Sequence, residues 1–221
     1  GRILYAHESS VNSGGGLDTE RIQNGTLKII SLYAIISVVC ACVFRLCGMG
    51  WFDGICHMFS TVSTGRFSVY ENSIAHYNSK LIDWAVIVFM IIGGTSFTTL
   101  LLITGFNRKR LAQNSEQWTY LAILLASSVA ICALIYSSHD DLFDSFTQAA
   151  FQSVSIMTTT GFASENYQSW TPAAHIILFA LMIIGGCAGS TSGGLKVSRF
   201  LASFKITTRE IEKSFRPRVI R

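Results

Sequence analysis

The sequence Met157-Thr158-Thr159-Thr160-Gly161-Phe162 indicates how the rest of the chain is organised. It lies between a short amphipathic run and a long apolar stretch, which predicts a non-helical loop that enters a membrane between two spans. Irregular backbone is tolerated at that depth only where protein buries it or where it lines a watery path. The carbonyl oxygens of such a loop need a binding partner, and a dehydrated cation is the expected ligand.

A weaker version of this stretch, Val62-Ser63-Thr64-Gly65-Arg66-Phe67, comes 95 residues earlier, counted between the phenylalanines (162 − 67 = 95). Threonine and glycine suit a loop of this kind. The hydroxyls satisfy neighbouring backbone groups, and a residue without Cβ lets carbonyls crowd around an axis. The two stretches therefore predict two re-entrant loops that belong to one ion path.

The composition favours the bilayer. Of 221 residues, 50% are hydrophobic and only 14% are charged, whereas soluble domains carry about 25% charged residues. The net charge of +4 is small and the basic residues are dispersed, which argues against a nucleic-acid-binding protein. The six cysteines and five histidines show no metal-ligand spacing, so we expect the cysteines to be small buried hydrophobes and no metal enzyme. Because no initiator methionine opens the chain, we expect a fragment or a trimmed product.

Apolar stretches near the roughly 20 residues that a span requires occur four times in the chain. They are residues 27–47, 81–104, 118–137 and 173–187. Two shorter runs, 52–62 and 142–157, each lead into one of the threonine-containing loops and are similar to pore helices. For the run 52–62, an interfacial amphipathic helix is the alternative.

The charge pattern predicts which side each segment faces. Arg108, Lys109 and Arg110 form the densest basic cluster between spans, so that loop is predicted to be cytoplasmic. Both threonine-containing loops then open from the outer face. The predicted order is a cytosolic connector (1–26), a first repeat (27–104), a cytosolic basic loop (105–117), a second repeat with an interrupted helix (118–206) and a cytosolic tail (207–221).

Two short sequence motifs of the first half recur in the second half at nearly the same spacing. Phe52-Asp53 returns as Phe143-Asp144 (143 − 52 = 91), and Met90-Ile91-Ile92-Gly93-Gly94 returns as Met182-Ile183-Ile184-Gly185-Gly186 (182 − 90 = 92). Landmarks that keep register over this distance indicate duplicated units. The predicted fold class is an all-α membrane protein with two consecutive span–pore helix–filter loop–span repeats.

The second unit ends differently from the first. A run of small residues over 188–194, Ala-Gly-Ser-Thr-Ser-Gly-Gly, breaks the last span, and Lys196 and Arg199 follow it. Such breaks occur where a helix is interrupted to line a path or to hinge. The alternative is that the membrane ends near Gly189 and that the two cations mark the cytosolic boundary.

A span, a short helix, a loop ending in Gly-Phe and another span form the repeating unit of the Trk/Ktr/HKT potassium transporter superfamily, which this chain resembles. The segment from Gly185 to Arg199 is similar to the third-repeat signature of the TrkH branch. In that family four units surround one pore in a pseudo-fourfold cation channel or transporter fold. This chain holds two units, which resemble the second and third.

The resemblance implies a subunit for potassium uptake in the bacterial inner membrane, multi-pass and embedded in the lipid bilayer. K⁺, with Na⁺ as an alternative or companion, is the transported ion, and no cofactor or enzymatic activity is implied. The implied partners are a second copy in a homodimer and a cytosolic nucleotide-binding regulatory ring of the TrkA-like type, docked near Arg108–Arg110.

The resemblance also implies a role for individual residues. The implied filter residues are Ser63, Thr64, Gly65, Arg66, Thr158, Thr159, Thr160 and Gly161, and K⁺ would be held by the backbone of Thr159, Thr160 and Gly161. The implied gate residues are Gly189, Ser190, Thr191, Ser192, Gly193, Gly194, Lys196 and Arg199, with Arg199 as the gating cation and Lys196 as its companion.

Arg66 departs from the family pattern. Where the second-repeat motif usually runs Ser-Thr-Gly-Gly-Phe-Ser, this chain has Ser-Thr-Gly-Arg-Phe-Ser over 63–68, so Arg66 stands where Gly161 stands in the other loop. Its guanidinium keeps its charge. It either points into the ion path and opposes conduction, or turns outward toward an acid such as Glu71. The chain is thus predicted to be a conducting subunit or, alternatively, a non-conducting membrane scaffold or an inactive homologue.

Overall fold

The computed structural model of the chain describes residues 19–105, 114–136 and 141–215, with side chains over 25–105, 114–136 and 141–211. Most of the predicted connector, the basic cluster Arg108–Arg110 and the end of the predicted tail lie outside these ranges. Within them the chain is helical, and the β pairing there is one isolated parallel bridge between Ile184 and Leu195.

The α-helices follow in a simple order. They are α1 (Thr19–Leu46), α2 (Trp51–Ser63), α3 (Lys80–Gly94), α4 (Phe97–Thr104), α5 (Ser115–Ile135), α6 (Leu142–Met157), α7 (Pro172–Ile183) and α8 (Val197–Phe215). Two 3₁₀ helices, Ser73–Tyr77 and Tyr167–Ser169, lie in the connections before α3 and α7. The short runs predicted before the two threonine-containing loops are confirmed as helices α2 and α6.

Helix packing follows the same plan on both sides of residues 105–114. Helices α1, α2 and α3 pack against one another, as do α5, α6 and α7, and α3 joins the two sets by packing on α6. Fully buried Phe44 and Met90 centre the first set, and Tyr120 and Phe151 centre the second. The outward faces of α1, α5 and α7 are apolar as well. Helices that are apolar on both faces suit a lipid environment, and the predicted all-α membrane protein is confirmed.

Two helices are long and apolar enough to cross a membrane on their own, Gly25–Leu46 and Ser115–Ile135. The predicted span over 81–104 consists of two helices, α3 and α4, which meet at a bend of 106°. The last predicted span, 173–187, is helical only over the 12 residues of α7.

Hydrogen bonds from a distant segment explain why α3 ends where it does. Cys187 N donates to Gly94 O (3.0 Å) and Thr191 N donates to Gly93 O (3.3 Å). In a continuing helix these two carbonyls would accept from residues four positions ahead. Phe97 N instead donates to Gly189 O (3.0 Å). The backbone around the break therefore exchanges its helical partners for partners in the chain after α7.

The repeated glycine pairs stand at the point where these two segments touch. A Cβ built on Gly186 would lie 2.7 Å from Gly94 O, and one on Gly185 would lie 2.0 Å from Gly193 O. Real Cβ atoms do not come so close to backbone oxygen, so a side chain at either position would push the backbones apart. Small residues allow the close backbone approach on which helix contacts in membranes depend.

We expect Gly185→Ala to destabilise the protein by about 1–3 kcal/mol, because its methyl group overlaps backbone that cannot move aside locally. The matched control is Gly54→Ala in α2, where an added Cβ would meet its nearest neighbour, Phe44 Cβ, at 3.8 Å and helix propensity favours alanine. Thermal denaturation of the purified complete protein in detergent measures the stability of both variants. Equal melting temperatures for the two variants would contradict the close packing.

Candidate functional site

The first threonine loop (residues 62–67) and the second threonine loop (residues 157–162) share an irregular backbone. Thr64 and Thr159 have φ of 53° and 59°, and Arg66 and Gly161 have φ of 64° and 69°. A positive φ is uncommon outside glycine. Its recurrence at positions 95 apart means that the two loops take the same path after their helices. Arg66 thus stands in a left-handed conformation where the other loop has glycine.

A serine in the last turn of each short helix ties the loop back to that helix. Phe67 N donates to Ser60 Oγ (2.9 Å), and Ser155 Oγ donates to Phe162 O (2.6 Å). In addition Gly65 N donates to Ser60 O (2.8 Å), and Thr160 N to Ser155 O (2.9 Å). Sequence reasoning missed both serines. They keep the 95-residue offset of the loops, which is the signal that could have found them.

The break loop (residues 189–194) contacts both threonine loops through equivalent side chains. Thr64 Oγ1 donates to Thr191 O (2.9 Å), and Gly193 N donates to Thr159 Oγ1 (2.7 Å). Thr191 Oγ1 also lies 3.0 Å from Val62 O. The residues predicted as filter and those predicted as gate are therefore brought together by direct hydrogen bonds.

The break loop is closed at its base. Gly185 N donates to Leu195 O (2.9 Å) and Leu195 N donates to Ile183 O (3.1 Å). The segments that enter and leave the break loop are therefore hydrogen-bonded side by side. Glycines with φ of 71° and 76°, Gly189 and Gly194, make the turns. Inside the loop, Ser192 Oγ accepts from Gly186 N (3.0 Å).

The remaining predicted gate residues line the break loop or follow it. Ser190 Oγ donates to Cys187 O (2.7 Å), which steadies the start of the loop. Lys196 Nζ donates to Ser192 O, so its ammonium group covers a carbonyl of the loop. Arg199 lies in the first turn of α8 with an exposed side chain.

Arg66 links the two threonine loops. Its Nε donates to Thr159 O (3.0 Å), and its aliphatic stem passes beside Gly161, where an added Cβ would be 3.4 Å from Arg66 Cγ. The outward alternative, toward an acid such as Glu71, does not describe this side chain, since no ion pair joins Arg66 and Glu71 among the described residues and Arg66 Nε donates to Thr159 O instead. The guanidinium therefore points at a carbonyl of the loop predicted to bind the ion.

Side chains around the first threonine loop hold the segment that follows it. His57 Nδ1 lies 2.8 Å from Asp53 O and its Nε2 lies 3.1 Å from Ser68 Oγ, so the buried ring bridges α2 and the chain after the loop. Tyr70 Oη donates to the Asp53 carboxylate (3.0 Å), and this hydrogen bond raises the pKa of Tyr70. The tyrosine stays a neutral donor at physiological pH.

The ligand atoms available at this site are uncharged oxygens of backbone carbonyls and threonine hydroxyls. The described residues contain no group of three or more His, Cys, Asp or Glu side chains placed to hold a metal ion. Backbone carbonyls and threonine hydroxyls are hard oxygen ligands, which suit hard cations better than zinc or copper. Rings of such carbonyls can replace the hydration shell of an alkali cation.

A sequence model of the TrkH family, described as a cation transport protein, matches residues 1–221. The Trk system potassium uptake protein TrkH of Salmonella typhimurium is 33% identical over 204 residues, which cover 90% of this chain and 42% of that protein. The Trk system potassium uptake protein TrkG of Escherichia coli K12 is 34% identical over 208 residues, with 91% and 42% covered.

The fold has a counterpart among solved structures. The crystal structure of the potassium transporter TrkH from Vibrio parahaemolyticus matches with a TM-score of 0.88 and 31% sequence identity, over 99% of this chain and 47% of that one. The chain thus spans less than half the length of the relatives it matches.

We expect Thr159→Val to loosen the break loop, because it removes the acceptor of Gly193 N–H while keeping the shape of the side chain. Loss of one such bond, worth about 0.5–1.5 kcal/mol, corresponds to roughly two- to tenfold faster amide exchange at Gly193. Hydrogen exchange read by mass spectrometry over 189–194 measures it. Thr159→Ser keeps the hydroxyl and should exchange like the parent; equally fast exchange in both variants would contradict the assignment.

Proposed function

Because this chain belongs to the TrkH family of cation transport proteins, we propose that it forms part of the ion path of a potassium-uptake subunit. One observation carries the proposal. Two irregular backbone loops of the same conformation meet a third, at Thr64–Thr191 and Gly193–Thr159, inside an all-α membrane protein. Non-helical backbone at membrane depth is tolerated where it lines a water-filled path. The matched relatives are named as potassium uptake proteins.

In this proposal the filter uses backbone oxygens, and the threonine side chains hold the loop in place. Thr158 Oγ1 donates to Val154 O (2.7 Å) and lies 2.8 Å from Thr160 Oγ1. Both side chains are fully buried. Coordination of K⁺ then falls to the backbone of Thr159, Thr160 and Gly161, with Ser63, Thr64 and Gly65 supplying the matching arc in the other loop.

The break loop is the proposed gate. Its hydrogen bonds to both threonine loops support this role, because a displacement of residues 189–194 would disturb both loops at once. Lys196, which covers Ser192 O, and Arg199 in the first turn of α8 are the proposed cationic part of the gate. A positive charge near the path opposes the passage of a cation through it.

The proposed setting is the bacterial inner membrane, with several spans and with the threonine loops opening outward. The exposed apolar faces of α1, α5 and α7 support a lipid environment. We also propose a homodimer and a cytosolic nucleotide-binding regulator of the TrkA-like type. The relatives are parts of a Trk system by name, and the basic cluster expected to face such a regulator lies outside the described residues.

A non-conducting scaffold is the second candidate, and Arg66 is the observation that favours it. The guanidinium donates to Thr159 O, an oxygen that the proposed filter would need for the ion. A unit charge about 5 Å from a bound cation, at an effective dielectric near 20, repels it by roughly 3 kcal/mol. That energy corresponds to about a hundredfold loss of occupancy.

We expect Arg66→Gly, made in the complete transporter, to raise K⁺ uptake at least about tenfold over the parent, because it removes the charge and suits the left-handed backbone. Uptake into cells that lack their own potassium transporters, at matched membrane expression, measures it. Arg66→Lys keeps a cation and serves as the control, expected to remain near the parent. Equal uptake by the parent and Arg66→Gly would refute the proposal that the Arg66 side chain opposes conduction.

Flux into proteoliposomes separates the two candidates. A conducting subunit passes K⁺ selectively once Arg66 is replaced by glycine, whereas a scaffold shows no cation-selective leak in any of these variants. The second result would contradict the transport proposal itself.

A further inference from the structure

Three polar side chains at the start of α5, Asn114, Glu116 and Gln117, reach the two breaks in the helical segments. We call these three residues the latch. Ala188 N donates to Glu116 Oε1 (2.6 Å), at the foot of the break loop. At the break between α3 and α4, Gln117 Nε2 donates to Thr95 Oγ1 (3.2 Å). One short segment therefore bonds to both breaks.

The latch has two more bonds of the same kind. Cys187 Sγ donates to Gln117 Oε1 (3.6 Å), and Asn114 Nδ2 donates to Thr99 Oγ1 (2.8 Å). Gln117 thus uses both ends of its amide, one on each break. The matching threonines, Thr95 and Thr99, are buried, as is Cys187.

Burial raises the free-energy cost of breaking these contacts. A polar group that loses its partner away from water costs more than an exposed one, because nothing replaces the lost bond. Glu116 is half-buried and its carboxylate holds a backbone N–H, and hydrogen bonds to charged groups are the stronger ones. The latch therefore constrains the segments it touches more than a surface contact would.

The break loop connects the latch to the threonine loops. The latch holds Cys187 and Ala188, and the next residues form the break loop. That loop bonds to Thr64 and Thr159 at its far end. On the other side, residues 105–113 precede the latch directly in sequence.

We propose that Glu116 and Gln117 are positioning residues for the break loop, and that releasing them frees this loop from the threonine loops and raises cation passage. The inference rests on the proposed function in its second half, since it takes the break loop to be the gate. Its first half, that the latch holds the loop, is a statement about local stability and can be tested without transport.

Cys187 is a native reporter of the latch because it is buried beside Gln117, so we expect its thiol to react only when the foot of the break loop opens. In the complete transporter in membranes, we expect Glu116→Ala to speed its alkylation by N-ethylmaleimide roughly tenfold. Mass spectrometry after timed quenching gives the rate. Glu116→Gln, which keeps an acceptor oxygen, should fall between Glu116→Ala and the parent.

Two controls separate opening of the latch from general loosening. Cys40, fully buried in α1, should keep its rate in every variant. Thr119→Ala removes a hydroxyl that bonds within α5 to Ser115 O and should leave the Cys187 rate unchanged. If Cys40 also reacts faster in Glu116→Ala, the decision passes to Glu116→Gln, where only the Cys187 rate should rise.

K⁺ uptake by the same variants, in the parent and in the Arg66→Gly background, tests the second half. We expect Glu116→Ala to raise uptake at least about threefold. An unchanged Cys187 rate would overturn the latch and leave the proposed transport untouched. Faster alkylation with unchanged uptake in a conducting background would overturn the gating role. Absence of uptake in every variant would count against the proposed function, while alkylation would still decide whether the latch holds the loop.

Discussion

The structure depends on one constraint: backbone groups that leave a helix among apolar helices must find partners inside the protein. Four irregular segments meet this constraint together. The threonine loops bond back to Ser60 and Ser155, and the break loop bonds to the threonine loops. The carbonyls of Gly93 and Gly94, freed where α3 ends, accept from Thr191 and Cys187. Because each segment satisfies another, none could be rearranged alone without leaving buried polar groups unpaired.

Much of this arrangement could be predicted from local sequence. The short helices α2 and α6 end where threonines and glycine begin, because loop-forming residues follow an amphipathic run directly. The helical fold class follows from apolar stretches with few charges. The place of Arg66 also follows from sequence, since alignment on Phe67 and Phe162 sets it opposite Gly161, and both residues take a positive φ.

What could not be predicted depends on partners far away in the chain. Residues 81–104 are apolar, and although the Gly93-Gly94 pair is a possible break, nothing local signals that these glycines will bond to residues beyond 186. The contacts of Glu116 with Ala188 and of Gln117 with Cys187 are equally hidden, because these partners lie 72 and 70 positions later. The direction of the Arg66 side chain was left open by sequence for the same reason: its acceptor is 93 positions away.

Backbone oxygens of the threonine loops are proposed to hold a dehydrated monovalent cation. Anomalous diffraction from crystals of the complete Arg66→Gly transporter, soaked in Rb⁺, tests it most directly. A peak beside the backbone oxygens of Thr159, Thr160 and Gly161 is the predicted result. Rb⁺ density confined to other parts of the protein, with none beside these oxygens, would contradict it.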